Sequence, residues 1–278
     1  MLQRKYPYIL AVLFLFSITA VADNRLRFDF EEELEQWRVV DGVFGALRTG
    51  RASFHHGDAP YNKEGEFFLS TLETPEGNPD DAYTGYVESA VFMLEEPKIY
   101  LLVGGGNHPD TYVALCTLDG TEVCWARGDN AQEMKRRRWD VPELVGKPLF
   151  IRVCDQNTGS WGHITVDDIR IRGTIDPAAS EAHWQQAKTV REQHEARKHL
   201  ADALAAINPV AVKQSFDDLK LRYPEAYAAM NVTDSQLAAF SARVDALHRR
   251  LSDTAATVTP GLLEEAAQLI AEKRDLLL

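Results

Sequence analysis

The spacing of apolar and polar positions divides the chain in two. Over residues 27–175, Gly, Pro, Asn or Asp interrupts the sequence about every ten residues, and the pieces between are short and rich in aromatic and β-branched side chains. That pattern predicts an all-β sandwich or barrel. Candidate strands are 26–30, 65–71, 85–94, 98–103, 111–118, 121–126, 149–155 and 163–172. In the last of these, Ile164, Val166, Ile169 and Ile171 mark the apolar positions, and the Asp167-Asp168 pair breaks strict alternation, as a β-bulge would.

After Asp176-Pro177 the composition turns to Ala, Glu, Gln, Lys, Arg and Leu with little Gly, and the period becomes helical. Leu237, Phe240, Val244, Leu247 and Leu251 step three and four positions apart, which aligns them on one face, and Thr233 with Gln236 forms a capping box ahead of them. Val212, Phe216, Leu219 and Tyr223 make a second stripe closed by Pro224, and Thr259-Pro260 opens a last helix carrying Leu263, Ala267 and Ile270. The expected fold class is therefore a mainly β N-terminal jelly-roll or β-sandwich domain followed by an all-α C-terminal helical region. The expected division is a signal peptide over 1–22, the sandwich over 23–175 and a helical spacer or bundle over 176–278.

The signal is read from Arg4 and Lys5, the apolar run 9–16 and Ala20-Val21-Ala22, whose small residues suit a signal peptidase cutting before Asp23. The apolar run is shorter than the roughly 20 residues that span a bilayer, so export is expected without a membrane anchor after cleavage. The chain carries 30 basic and 42 acidic residues, a net of −12, and cleavage would leave −14. A surface this acidic repels phosphate backbones and anionic lipid, which argues against a nucleic-acid or membrane partner. Three cysteines, Cys116, Cys124 and Cys154, cannot all pair within one chain and match no zinc pattern; Cys116 and Cys124 flank an Asp119-Gly120 turn, and buried thiols are favoured over a disulfide.

Several segments offer chemistry. Gly104-Gly105-Gly106-Asn107-His108 follows an apolar strand but lacks the helix and Lys-Ser/Thr pair of a phosphate loop, so its glycines read as a bend or a close backbone approach. The loop from Asp155 to His163 holds Trp161 beside polar groups. An indole can stack on the CH face of a sugar while His, Asn and Asp meet its hydroxyls. The ligand candidates are thus Trp161, His163, Asn107, His108 and Asp155; equally, Trp161 can plug the end of a sandwich while His163 bonds backbone. Asp29, Glu31 and Asp168 could supply oxygens for a structural calcium ion where the first and last strands meet, or could be ordinary solvated carboxylates. His194 and His199 lie five positions apart, about 140° around a helix, and cannot share a zinc ion.

Residues Tyr83-Thr84-Gly85-Tyr86-Val87-Glu88-Ser89, Phe92, Gly104-Gly105-Gly106, Tyr112-Val113-Ala114-Leu115, Trp139-Asp140-Val141, Leu144-Val145-Gly146-Lys147, Asp155 and Trp161-Gly162-His163-Ile164 with Asp167-Asp168-Ile169 occur in an order that resembles a galactose-binding-like sandwich module. It is similar to the accessory module of levanase-type family 32 glycoside hydrolases and of large secreted planctomycete-type proteins, over residues 27–173. The resemblance implies a jelly roll with a sugar-directed accessory role, and it does not extend to the hydrolase's catalytic domain. The helical half resembles the spacer preceding a hydrazine-synthase-related domain in some such proteins, which implies a downstream domain.

Three functions are expected to compete. The first is a non-catalytic exported module contacting a glycan or an extracellular protein surface. The others are the accessory part of a larger secreted glycoside hydrolase or other enzyme, and a structural or assembly protein. No catalytic constellation emerges from the residue pattern.

Overall fold

The computed structural model describes residues 24–34, 36–54, 60–230, 232–252 and 257–277. The expected signal peptide lies outside the described residues. Among the described residues, twelve strands precede five α-helices: β1 (Arg25–Phe28), β2 (Trp37–Val43), β3 (Arg48–Thr49), β4 (Phe68–Ser70), β5 (Thr84–Ser89), β6 (Phe92–Leu94), β7 (Lys98–Gly105), β8 (Thr111–Thr117), β9 (Glu122–Ala126), β10 (Ala131–Asp140), β11 (Pro148–Asp155) and β12 (Ile164–Ile175). The helices are α1 (Pro177–Ile207), α2 (Pro209–Arg222), α3 (Pro224–Ala229), α4 (Asp234–Ser252) and α5 (Pro260–Leu277). The expected fold class is the one observed: an antiparallel β-sandwich followed by helices.

One sheet runs β10–β7–β12 and continues through β1 and β4 to β3. The other runs β9–β8–β11–β5–β2, with β6 beside β5 on β11. β12 belongs to both: residues 164–170 pair with β7, and Gly173, Thr174 and Ile175 pair with β6. Between the sheets lie Phe28, Trp37, Leu101, Val113, Ile151, Ile164, Val166 and Ile169, all buried. The outer faces are covered as well. Ala114, Cys116 and Phe150 lie under the start of α1, whereas Leu102 and Met134 pack with Tyr61 and Phe68. Cover on both faces explains why β7, β8 and β11 read as continuous apolar runs instead of alternating.

Two differences from the sequence reading follow from burial. The single strand expected over 85–94 is two, β5 and β6, because the chain turns at Ala90-Val91, where the Val91 amide donates to the Ser180 hydroxyl of α1 at 2.8 Å. β2 and β10 went unforeseen, since exposed positions of β2 and the Lys135-Arg136-Arg137-Arg138 run of β10 disguise their inward sides. The three cysteines are free thiols, and burial raises Cys116 to about 12 and Cys124 and Cys154 to about 11, which keeps them protonated.

The helices have a core of their own, with Leu200, Leu204, Val212, Phe216, Leu237, Phe240, Val244, Leu247 and Leu269 buried together. The capping box forms: the Gln236 amide donates to Thr233 Oγ1 at 3.2 Å and the Thr233 amide to Gln236 Oε1 at 2.7 Å. Two stripes are corrected. α5 buries Leu262, Ala266 and Leu269, one position earlier than expected, and leaves Leu263 and Ile270 39% and 41% exposed. Tyr223 ends α2 as an exposed cap and not as core. α1 starts at Pro177, with the Asp176 carboxylate accepting from the Ala179 amide, and it lies on the sandwich: His183 stacks on Phe150 at 4.2 Å and bonds Glu88 at 2.7 Å. No described helix is long and apolar enough to cross a membrane.

The bulge expected at Asp167-Asp168 is present. The register of β12 against β7 shifts between Asp167 and Arg170, and Asp168 has φ 45°. Asp167 turns inward to accept from the amides of Glu64 and Asp168, and burial raises its carboxyl to about 7. Asp168 turns toward Arg27, Arg136 and Arg170 at 2.5, 2.6 and 2.6 Å. Burial pushes its pKa up, but hydrogen bonds from the three guanidiniums outweigh that and hold it below the usual range. The calcium expectation at Asp29, Glu31 and Asp168 does not fit this geometry. Glu31 Oε1 accepts from the amides of Glu66 and Phe67, Asp29 faces Arg27 at 3.6 Å, and three arginines occupy the space a cation would need. Among the described residues no group of three or more His, Cys, Asp or Glu is placed to hold a metal ion.

Removing the charge at Asp168 leaves three guanidiniums facing one another. Asp168→Asn is expected to cost about 2–4 kcal/mol, allowing for the partial exposure of the arginines, while a chelator leaves the melting temperature of the native chain unchanged. Thermal unfolding with and without EDTA checks both.

Candidate functional site

The glycine triplet organises one end of the sandwich. Gly105, at the end of β7, has φ +92°, a conformation only glycine adopts without strain. A Cβ on Gly106 would lie 1.9 Å from the Trp161 carbonyl oxygen, and one on Gly128 would lie 2.1 Å from that of Gly105. Two segments therefore close on this corner: the loop leading into β12, and the crossing from β9 of one sheet to β10 of the other. The close approach anticipated for these glycines is made to protein backbone.

The β7–β8 loop is tied over that corner to the β11–β12 loop and to the β9–β10 crossing. The Gly106 amide donates to the His163 carbonyl at 2.8 Å and His108 Nε2 to the Ser160 carbonyl at 3.0 Å. Asn157 Nδ2 donates to Asp110 Oδ1 at 3.1 Å, and the Asn107 amide to Asn130 Oδ1 at 2.8 Å. Of the five ligand candidates, Asn107 is exposed and His108 and Trp161 are half-buried, so these three reach the surface. Trp161 lies against the His163 ring, centroids 5.7 Å apart and planes at 28°.

His163 and Asp155 stand beneath the surface, 2% and 1% exposed, and support the loops from below. His163 Nδ1 donates to Asp81 Oδ1 at 2.6 Å, leaving Nε2 to accept from the Gln132 amide at 3.2 Å. Burial lowers its pKa against the opposing pull of Asp81, so the ring is neutral near pH 7 and fixed as the Nδ1–H tautomer. Asp155 accepts from the Asn157 amide through Oδ1, while Oδ2 is buried without a hydrogen-bond partner. Burial raises Asp155 to about 7, against a hydrogen bond from Thr71 and with the charges of Asp81 and Asp110 adding to the rise. Thr111, its register partner on β8, also holds a buried, unpartnered hydroxyl.

The surface beside Asn107 holds side chains that the sequence reading did not single out. A groove of about 320 Å³ is lined by Asn107, Trp125, Arg127, Asp129, Arg137 and Arg138. Trp125 is 55% exposed, and the Arg127 guanidinium lies 4.1 Å over its ring. β9 is an edge strand whose alternation puts Cys124 against the core and turns Val123 and Trp125 outward. The sequence shows Val123 and Trp125 alternating with Glu122, Cys124 and Ala126, a pattern in which both sets carry apolar residues and neither is marked as the one that faces solvent.

A larger groove of about 490 Å³ lies between α1 and the sheet of β2, β5 and β11. Three of its polar side chains are engaged with one another, while the Arg191 Nε is buried without a hydrogen-bond partner. Arg152 pairs with Glu88 at 2.7 Å and Glu122 at 3.3 Å, and His183 shares Glu88. His194 lines this groove.

No protein-family profile matches the chain. Among curated proteins it is similar to a provisionally named glycosyl hydrolase, ecdE, of Aspergillus rugulosus, with 35% identity over 94 residues. That stretch is 34% of this chain and 13% of the fungal protein. Among solved structures, the K1 cleaved adhesin domain of Lys-gingipain from Porphyromonas gingivalis W83 matches with TM-score 0.33 and 15% identity, covering 54% of this chain and 98% of that one. A family 61 carbohydrate-binding module (TmCBM61) in complex with β-1,4-galactotriose matches with TM-score 0.35 and 15% identity over 52% and 94% of the two chains. A family 35 carbohydrate-binding module from an environmental isolate gives 0.33 and 12% over 54% and 97%. Scores of this size leave the fold to be argued from the chain's own strands.

The Asp155 carboxyl predicts a pH dependence of stability. Its folded pKa of about 7 lies above its unfolded value near 3.8, so between those values the folded state binds the extra proton, and the stabilisation present at low pH is lost as pH rises to 7. Asp155→Asn, which cannot ionise, is expected to match the native chain at pH 4 and to exceed it by roughly 2–4 kcal/mol at pH 8. Urea unfolding at both pH values checks this; an equal difference at the two would contradict it.

Proposed function

We propose that the sandwich is a carbohydrate-directed binding module of an exported protein, acting by recognition and not by turnover, with its contact surface at the end of the sheets where Trp125, Asn107, His108 and Trp161 emerge. The observation that carries this reading is Trp125: a large indole more than half exposed on an edge strand, set in a groove with guanidinium, carboxylate and amide groups around it. An exposed apolar ring is costly in water and suited to the CH face of a sugar, and the surrounding planar donors and acceptors suit hydroxyls. Trp161 and His108, held rigidly by the loop ties, form the rim.

The 94-residue likeness to a protein named as a glycosyl hydrolase supports an accessory role, because a stretch forming 13% of that protein fits a module carried beside a catalytic unit. In this reading the helices space the sandwich from a further domain, as the spacer they resemble does in some large secreted planctomycete-type proteins. Folding the loops in advance, through buried Asp155 and neutral His163, keeps the ordering cost of binding low.

A glycan array with the purified chain, followed by calorimetry on the best ligand, tests the proposal. Binding is expected to weaken about tenfold or more in Trp125→Ala, equal to about 1.4 kcal/mol per tenfold, with an unchanged melting temperature. Absence of binding to any glycan, or affinity indifferent to Trp125, would overturn it.

A further inference from the structure

We infer that the groove beside Trp125 selects an acidic sugar, a uronate residue within a glycan; the inference rests on the carbohydrate reading above and adds the ligand class. Three arginines, Arg127, Arg137 and Arg138, line the groove against a single carboxylate, Asp129. That carboxylate is already committed, receiving Lys135 at 2.9 Å and Arg137 at 2.8 Å. Arg137 also donates to the Arg127 carbonyl at 3.2 Å.

Among the described residues the other two guanidiniums have no carboxylate partner. Arg127 lies over the Trp125 ring, and its Nε is buried without a hydrogen-bond partner. Arg138 is exposed, with no ion pair among the described residues. The chain as a whole carries a net charge of −12, so acidic side chains are plentiful, yet none of the described ones closes this pair. Neighbouring guanidiniums without a counter-ion repel each other, and a buried N–H without an acceptor costs free energy. An anion supplies what both lack, and a neutral sugar does not.

The position of the ring narrows the anion. In a uronate the carboxylate is bonded directly to a ring carbon, so it lies at the edge of the pyranose. With the CH face stacked on Trp125, that edge meets guanidiniums at the rim, and two coplanar oxygens suit their fork of donors. The positive patch acts over about 8 Å at physiological salt, short enough for it to work within an acidic protein.

Calorimetry on the full chain tests the inference with galacturonate, glucuronate and mannuronate oligosaccharides, the same oligosaccharides with their carboxyls reduced to alcohols, and a sulfated neutral oligosaccharide. The best uronate is expected to bind at least about tenfold tighter than its reduced form at low salt, with the difference shrinking in 0.5 M NaCl. Arg138→Gln, at an exposed position that leaves folding intact, is expected to bring the two within about threefold. If the reduced forms bind as well as the uronates and Trp125→Ala abolishes both, the acidic-sugar inference fails while the carbohydrate reading stands. If the sulfated compound binds as tightly as the best uronate, the carboxylate assignment fails. If no carbohydrate binds, both fail.

Discussion

Strand β12 is shared by both sheets, and the rest of the sandwich is arranged around how it passes from one to the other. Its buried positions, Ile164, Val166, Ile169 and Ile171, sit at the centre of the core, and its last three residues pair with β6 of the opposite sheet. Ahead of that passage, within the stretch paired with β7, the bulge at Asp167-Asp168 shifts the register of the strand. The extra residue brings two buried carboxylates with it, and the two are satisfied in opposite ways. Asp167 takes amide donors and is pushed toward its protonated form, whereas Asp168 stays charged because three arginines from β1, β10 and β12 converge on it. One short-range charge cluster thereby fastens three strands of one sheet.

The N-terminal end of β12 sets the site. His163 precedes the strand, and its carbonyl, held by the Gly106 amide, fixes the loop carrying Trp161 against the end of β7. The same glycine corner admits Gly128 and so positions the crossing from β9 to β10, where Trp125, Arg127 and Asp129 stand. The surface that presents aromatic and charged groups is thus continuous with the buried framework: Asp155 and His163 below, the loop ties above them, and the exposed indole at the edge. That arrangement suits a preformed recognition surface, in which little conformational freedom remains to be lost on binding.

Much of the fold was legible because burial leaves a period in the sequence. Alternation marked β12 and its bulge, three-four spacing marked α4, and Thr233 with Gln236 announced the cap that the structure forms. Legibility failed where a residue's partner is distant. Nothing local in Lys135-Arg136-Arg137-Arg138 says that Arg136 answers Asp168 or that Arg137 answers Asp129. The apolar face of α5 is ambiguous by one position, because Leu262 and Leu263 are adjacent and packing decides between them. At the site, chemical type pointed to Trp161, His163 and Asp155, but residue type does not report depth. Two of these are buried supports, and the more exposed indole, Trp125, lies in an edge strand whose two faces look equally apolar in sequence.

Ligand contact is expected at the Trp125 end of the sandwich and not in the larger groove under α1. The indole N–H and histidine side-chain signals test this in a single NMR titration with a bound oligosaccharide, since Trp125 and Trp139 line one groove, His183 and His194 line the other, and Trp37 lies in the core. Trp125 is expected to shift most, Trp139 and Trp161 less, and Trp37, His183 and His194 not at all. A shift confined to His183 and His194, with Trp125 unmoved, would contradict it.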